Sequence, residues 1–192
     1  MADSGKNGRR QLEAYDSLHG RTLSVDSREE VDAINWLCEA AELSAVRDFE
    51  YQPRSFELFA GADYVDADGK TRCLFRDHVY TPDFLVALGP SAGTALLKEF
   101  RVRAPQLSAP EVSVYWDVKG TFARHDGGRS FSLNQKWVWQ KYGEYVYKMV
   151  PKAFFAKAGC PAKSFYSAKA KRERKAFAGM KSVKEALLDE KR

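Results

Sequence analysis

Two short segments of the chain carry side chains suited to metal-dependent hydrolysis. Asp83 lies within one apolar stretch, and Asp117 and Lys119 lie at the end of another, which runs from 112 to 118. Side chains alternate between the two faces of a strand, so Asp117 and Lys119 are expected on one face while Val118 turns back to the core. An Asp from a neighbouring strand would then bring two carboxylates and an ammonium group to one point.

Such a group of side chains matches the needs of phosphodiester hydrolysis. Carboxylate oxygens hold Mg²⁺, which polarises the phosphate and lowers the pKa of a bound water, while a lysine steadies the attacking water or the developing charge. An acidic residue two positions before a lysine occurs about once by chance in a chain of this composition. It also forms ordinary surface ion pairs, so spacing alone leaves both interpretations open.

The hydrophobic pattern predicts the elements that would position these residues. Apolar residues at intervals of three and four predict a helix from Ser27 to about Val46, with Ser27 and Glu30 as its capping box. One or two short strands are expected over 49–59. The other expected elements are a long strand or pair of strands over 73–88, a short helix over 94–102, a strand over 112–118, a helix from about 132 to 142, a strand over 145–150 and helix from 152 onward.

Length and charge predict one domain with a basic end. A chain of 192 residues with 44% hydrophobic residues suits a single core. Residues 1–26 are polar and are expected to form a flexible arm, residues 27–151 the core with an insertion at about 89–110, and residues 152–192 a basic helical extension. Residues 151–192 hold 12 Lys and Arg against 4 Asp and Glu, whereas the first 150 residues carry a net charge of −3.

Several classes of protein are excluded by the sequence. The longest apolar run, 84–88, is far too short to span a membrane, and no apolar segment follows the basic residues near the start, so a cytoplasmic location is expected. Three widely spaced cysteines favour neither a disulfide framework nor a zinc site. The motif GxxxxGK is absent, and no nucleotide or organic cofactor is expected.

Together these motifs resemble a known family. Pro82-Asp83 with Asp117-Val118-Lys119 resembles the PD-(D/E)xK signature of metal-dependent nucleases. The segment from Tyr80 to Leu85, the Gly120 that follows Lys119, and an upstream helix carrying Glu are similar to small phage Holliday-junction resolvases of the endonuclease I type and related phage nucleases. The resemblance covers residues 27–150. It implies an α/β fold with a restriction-endonuclease-like core, a mixed sheet of four or five strands flanked by helices.

The resemblance also implies roles for individual residues. Asp83, Asp117 and Glu30, with the Val118 carbonyl, would bind Mg²⁺, with Mn²⁺ as its substitute, and Lys119 would position the nucleophile. A purely structural capping role for Glu30 remains equally open. Asp83 and Asp117 lie 34 positions apart, whereas the resolvases join these strands by a short turn, and this departure bears on substrate specificity.

Basic and polar side chains supply expected contacts to DNA. Cationic and amide groups can hold phosphates, and the residues assigned to this role are Gln135, Lys136, Lys141, Lys148, Lys169, Lys171, Arg172, Arg174 and Lys175. The aromatic residues interleaved with the lysines of 132–148 are expected in the core. Gln52 and His78 are candidates for supporting positions beside the metal site, although a strand-edge glutamine and a surface or core histidine are the commoner explanations.

The expected function is therefore a Mg²⁺-dependent DNA endonuclease, phage-encoded, acting in a bacterial host and selective for branched DNA. Cutting branched DNA would require two symmetric active sites and hence a homodimer. The alternatives are a non-catalytic DNA-binding or phage assembly protein on the same fold, and a transposon-end or restriction-type enzyme acting with a partner.

Overall fold

A computed structural model describes residues 11–102, 112–120, 127–167 and 171–189 of the chain. The strands in these ranges are β1 (Leu12–Asp16), β2 (Arg21–Val25), β3 (Val46–Tyr51), β4 (Phe56–Phe59), β5 (Ala62–Val65), β6 (Thr71–Phe75), β7 (His78–Tyr80), β8 (Phe84–Leu88), β9 (Ser113–Val118) and β10 (Val146–Met149). The helices are α1 (Arg28–Glu42), α2 (Thr94–Glu99), α3 (Gly127–Tyr142), α4 (Pro151–Ala158), α5 (Ala162–Phe165) and α6 (Val183–Asp189).

A mixed four-stranded sheet forms the centre of the fold. Its strand order is β10-β9-β8-β3, with β10 parallel to β9 and the other neighbours antiparallel. Helices cover both faces, so the predicted α/β class with a mixed sheet of four strands and flanking helices is confirmed.

Two hydrophobic clusters pack on the opposite faces of this sheet. On one face, Trp116 of β9 contacts Trp36 of α1 and Phe154 of α4, with ring centroids 5.7 and 5.4 Å apart. On the other face, Tyr115 packs with Phe56 of β4 in a cluster that α3 completes. Because both faces are covered, β9 is buried along nearly its whole length.

Helix α1 begins where the capping pattern predicts. The Ser27 hydroxyl oxygen accepts a hydrogen bond from the Glu30 amide at 3.2 Å, and the helix buries its apolar positions against the sheet. The helix ends at Glu42, earlier than expected. The chain turns through Ser44, which adopts a φ of 59°, and β3 starts at Val46.

The prediction of a flexible arm is wrong for residues 11–26. Strands β1 and β2 form an antiparallel hairpin that packs on α1, with Ala14 and Val25 in the core. Asp16 is fully buried, and its carboxylate pairs with His19 at 2.7 Å and Arg21 at 3.1 Å. These partners satisfy the buried charge, which explains why a polar segment is ordered. Residues 1–10 lie outside the described ranges.

The segment between β3 and β8 contains more strands than predicted. The stretch 73–88 forms parts of β6, β7 and β8 instead of one or two strands. Strands β4 and β7 pair beside the main sheet, and β5 and β6 form a separate hairpin with mostly exposed side chains. The predicted insertion after β8 contains α2, which ends at Glu99.

The segment predicted to be a C-terminal extension is packed into the core of the fold. Phe155, Phe177, Val183 and Leu187 are buried in the same cluster as Trp36. The apolar residues of this segment are too widely spaced in sequence to show one periodic face. The segment is therefore part of the core, and described basic residues such as Lys171, Arg172 and Lys175 have exposed side chains.

We expect Gly159→Ala to destabilise the fold through this docking. Gly159 has a φ of 82°, and an added Cβ would meet the Ser182 carbonyl oxygen and lie 2.6 Å from the Val183 Cα. The combined strain and overlap should lower the free energy of unfolding by roughly 3 kcal/mol, measured by urea denaturation.

Gly179→Ala is the matched control for this prediction. Gly179 also has a positive φ, of 72°, but an added Cβ there meets no atom of the described residues within 4 Å. It should lose only about 1 kcal/mol. Equal losses at the two glycines would contradict close docking of the chain at Ser182 and Val183.

Candidate functional site

The register of the sheet brings Asp83 and Asp117 side by side. Phe84 pairs with Trp116 across β8 and β9, so the next position along places Asp83 opposite Asp117. Asp117 shares the face of Tyr115 because side chains alternate along a strand. The long separation of the two acids in sequence therefore does not separate them in space.

At the end of the β8–β9 ladder, the Asp83 side chain accepts the hydrogen bond that a backbone carbonyl would otherwise accept. Its Oδ2 atom accepts a hydrogen bond of 2.6 Å from the Val118 amide. The residue before it is Pro82, which has no N–H group to continue a ladder. This arrangement fixes the Asp83 carboxylate beside the strand that carries Asp117.

Lys119 lies over Asp117. Its Nζ is 2.7 Å from Asp117 Oδ2, and its amide donates to the Met149 carbonyl at 2.9 Å. The side chain of Lys119 is 27% exposed and that of Asp117 only 3%. The expected juxtaposition of Asp83, Asp117 and Lys119 is thus present, with the ammonium group on the solvent side.

Both carboxylates resist ionisation in this environment. Burial, followed by the charge of Asp117, raises the pKa of Asp83 to about 7. Burial also raises the pKa of Asp117, against the opposing effect of Lys119. Two adjacent buried carboxylates repel each other when both are ionised, so a bound cation would favour the doubly ionised form.

A tyrosine without a predicted role completes the buried part of the site. The Tyr80 hydroxyl is buried, and burial and the charges of Asp117 and Asp83 raise the pKa of Tyr80. Neither this hydroxyl nor Asp117 Oδ2 has a hydrogen bond of good geometry to any described residue. In the sequence, Tyr80 is marked only by its position three residues before Asp83, and this spacing alone does not indicate a catalytic or binding role.

Glu30 is held by structural partners. Its Oε1 accepts from the Ser27 hydroxyl at 2.6 Å, and its Oε2 accepts from the Asp26 amide at 3.2 Å and the Tyr51 hydroxyl at 2.9 Å. The Glu30 charge contributes to the raised pKa of Asp83, after burial and the charge of Asp117. The capping role is therefore present, and the role of Glu30 as a metal ligand stays a prediction.

Glu29 lies beside the lysine end of the site. An added Cβ at Gly120 would lie 3.1 Å from Glu29 Oε1, so this carboxylate packs against the backbone that follows Lys119. The absence of a side chain at Gly120 makes this close approach feasible.

The two candidates for supporting positions differ in location. The backbone N–H of Gln52 donates to the backbone carbonyl of Asp83 at 2.8 Å, and the side-chain amide of Gln52 donates to the Tyr51 hydroxyl at 3.3 Å. Gln52 therefore borders the site. His78 instead pairs with Asn134 of α3 at 2.8 Å and stacks on Phe59, which ties it to the packing of α3.

The residues predicted to contact DNA occupy different environments. Lys148 pairs in register with Asp117 across β9 and β10. Gln135 and Lys141 donate to backbone carbonyls, those of Val146 and Glu57. Lys136, Lys171, Arg172 and Lys175 are exposed, and Lys169 lies outside the described residues.

Arg174 and two tryptophans stand out from this group. Arg174 pairs with the buried Asp32 at 2.6 Å, which gives it a structural role. Trp137 and Trp139 are 37% and 41% exposed, so the expectation that these two rings are buried is wrong. They lie on α3, whose Val138 faces the core.

The donor set fits Mg²⁺ better than a metal that needs a full protein cage. Among the described residues, no group of three or more His, Cys, Asp or Glu side chains is arranged to hold a metal. Mg²⁺ keeps several waters and commonly takes only one or two carboxylates. Asp83 and Asp117 supply that number, and Asp117 Oδ2 is a buried acceptor whose near neighbour is the Lys119 ammonium group at 2.7 Å.

Comparison with known proteins found no matching family model, curated protein or solved structure. Within the described ranges, none of the helices has the length and apolar character needed to cross a membrane.

Proposed function

We propose that this chain is a Mg²⁺-dependent DNA endonuclease with a restriction-endonuclease-like core. The observation that carries the proposal is the convergence of Asp83, Asp117 and Lys119 at the end of β8 and β9. Strand pairing brings these three residues together from distant positions in the sequence. Their types match the PD-(D/E)xK signature that the sequence resembles.

Asp83, Asp117 and the Val118 carbonyl are the proposed Mg²⁺ ligands, with Mn²⁺ as a substitute. The ion supplies charge neutralisation at the phosphate and a bound water of lowered pKa. The two carboxylates are already adjacent, so their mutual repulsion raises the free energy of the metal-free state. Glu30 lies near enough to add negative charge to this region.

Lys119 is the proposed positioning group for the attacking water. Its ammonium group now pairs with Asp117, and a metal on Asp117 would release it toward the water. The water loses a proton to solvent as its oxygen bonds to phosphorus, the bond from phosphorus to the 3′ oxygen breaks, and the 3′ oxygen takes up a proton from solvent. The products carry a 5′-phosphate and a 3′-hydroxyl, as the family resemblance implies.

The exposed basic residues provide the proposed sequence-independent contacts to the DNA backbone. Lys136 on α3 and Lys171, Arg172 and Lys175 in the C-terminal layer have exposed side chains. Contacts of this kind weaken with rising salt because binding releases counterions from DNA. They would leave the choice between linear and branched DNA to the shape of the bound substrate.

The function is tested by one incubation series on linear duplex, single-stranded, flap and four-way-junction DNA, each with and without Mg²⁺. We expect Mg²⁺-dependent cleavage, with the junction preferred. Equal cleavage of linear duplex would remove the junction selectivity. Salt-dependent DNA binding without cleavage in Mg²⁺ or Mn²⁺ would contradict the nuclease proposal and favour a non-catalytic DNA-binding protein.

A further inference from the structure

Lys148 continues the row of site residues onto the last strand of the sheet. It pairs in register with Asp117 in the parallel ladder of β9 and β10. Neighbouring strands lie about 4.8 Å apart, and residues in register point to the same face. Asp117 therefore has an ammonium group on either side, Lys119 along its own strand and Lys148 across the ladder.

Lys148 lies in partly buried surroundings in which it shares the neighbouring Asp117 with Lys119. Its side chain is half-buried, and its Nζ lies 5.7 Å from the centre of the Phe131 ring. Among the described residues, no carboxylate forms an ion pair with Lys148, while Asp117 is already paired with Lys119. A partly desolvated ammonium group is stabilised most by a hydrogen-bonded anion.

The chemistry of the site identifies that anion. With Lys119 assigned to the attacking water, none of the other residues assigned to the site contributes a cationic group for the phosphate oxygens. Lys148 lies beside the metal-binding carboxylates, whereas the exposed basic residues of the C-terminal layer lie on different elements. The phosphate nearest to Lys148 would then be the one that reacts.

We propose that Lys148 binds a non-bridging oxygen of the phosphodiester group that is hydrolysed. The proposal rests on the proposed nuclease function and names the residue that recognises its reacting group. The phosphoryl group gains negative charge when water attacks, so the ammonium group binds the transition state more tightly than the ground state. Lys148 is therefore a catalytic residue and more than an anchor for DNA.

The test compares Lys148→Ala, Lys148→Arg and the wild type in Mg²⁺-dependent cleavage. Lys148→Ala should lower kcat about 100-fold and change KM by less than about three-fold, because the contact strengthens in the transition state. Lys148→Arg should recover about ten-fold of this loss by restoring the charge. Lys152→Ala, at an exposed lysine of α4, is the matched control and should leave kcat unchanged.

Two results would overturn this role. A rise in KM at constant kcat would show a contact to a flanking phosphate only. A fall in kcat that follows a lower melting temperature, without recovery by arginine, would show a packing role against Phe131.

A separate measurement distinguishes failure of this inference from failure of the proposed function. If the wild type cleaves none of the four DNA forms, the nuclease proposal fails, and DNA affinity without divalent ions still tests the contact. Lys148→Ala should then reduce the slope of log affinity against log salt by about one. An unchanged slope would overturn phosphate binding by Lys148.

Discussion

Lys119→Ala is expected to lower Mg²⁺-dependent DNA cleavage about 1000-fold while Mg²⁺ binds more tightly. Loss of the ammonium group removes the charge that steadies the attacking water, an effect of this order in hydrolytic sites. The same change frees Asp117 Oδ2, which now lies 2.7 Å from the Lys119 Nζ. Since the cation and the lysine compete for one carboxylate oxygen, Mg²⁺ affinity should rise roughly ten-fold.

The two effects are measured separately. Single-turnover kinetics measure the loss of cleavage rate. Mg²⁺ titration, followed by calorimetry or by the melting temperature, measures the gain in Mg²⁺ affinity. Asp117→Asn should lose both cleavage and Mg²⁺ binding, and Lys184→Ala, at an exposed lysine of α6, should change neither. Cleavage at the wild-type rate in Lys119→Ala would rule out the proposed mechanism, and weaker Mg²⁺ binding would rule out the competition.

Arg174→Met should destabilise the fold by roughly 3–4 kcal/mol. The guanidinium Nη1 lies 2.6 Å from Asp32 Oδ1, and Asp32 is only 1% exposed. Removal of one partner of a buried ion pair leaves an uncompensated charge. Ser164 still donates to this carboxylate at 2.7 Å, but Arg28 is 3.8 Å away and compensates only in part.

Urea denaturation of single and double variants separates this effect from a general loss of charge. Arg172→Met, which removes an exposed arginine two residues away, should leave stability unchanged. The pair Asp32→Leu with Arg174→Met should be more stable than Arg174→Met alone, because no buried charge remains. If Arg174→Met is as stable as the wild type, the structural role of Arg174 is contradicted, and Arg174 belongs with the solvent-facing basic residues.

The parts of the fold that local patterns specify were predictable. Ser27 and Glu30 marked the start of α1, and the alternation from Val112 to Val118 marked β9. The same alternation predicted that Asp117 and Lys119 share a face. Each of these signals depends on neighbours within a few residues, so the sequence alone contains it.

The parts that depend on distant partners were not predictable. The segment around Asp16 has the composition of a polar arm, because the contact that links it to β3, between His19 and Asp48, spans 29 positions of the sequence. Arg174 appeared to be one of several tail cations because its partner Asp32 lies on α1. The role of Tyr80 likewise depends on the strand pairing that brings it beside Asp117.

The pairing of β8 with β9 has a consequence for how this fold could be altered. The relative positions of Asp83 and Asp117 are set by the ladder from Phe84–Trp116 to Ala87–Ser113, and the connection through residues 89–112 leaves from its opposite end. Lengthening such a connection costs little, about 0.6 kcal/mol for each doubling. We therefore expect that segments with new binding specificity can be grafted at this end of the sheet without moving Asp83 or Asp117.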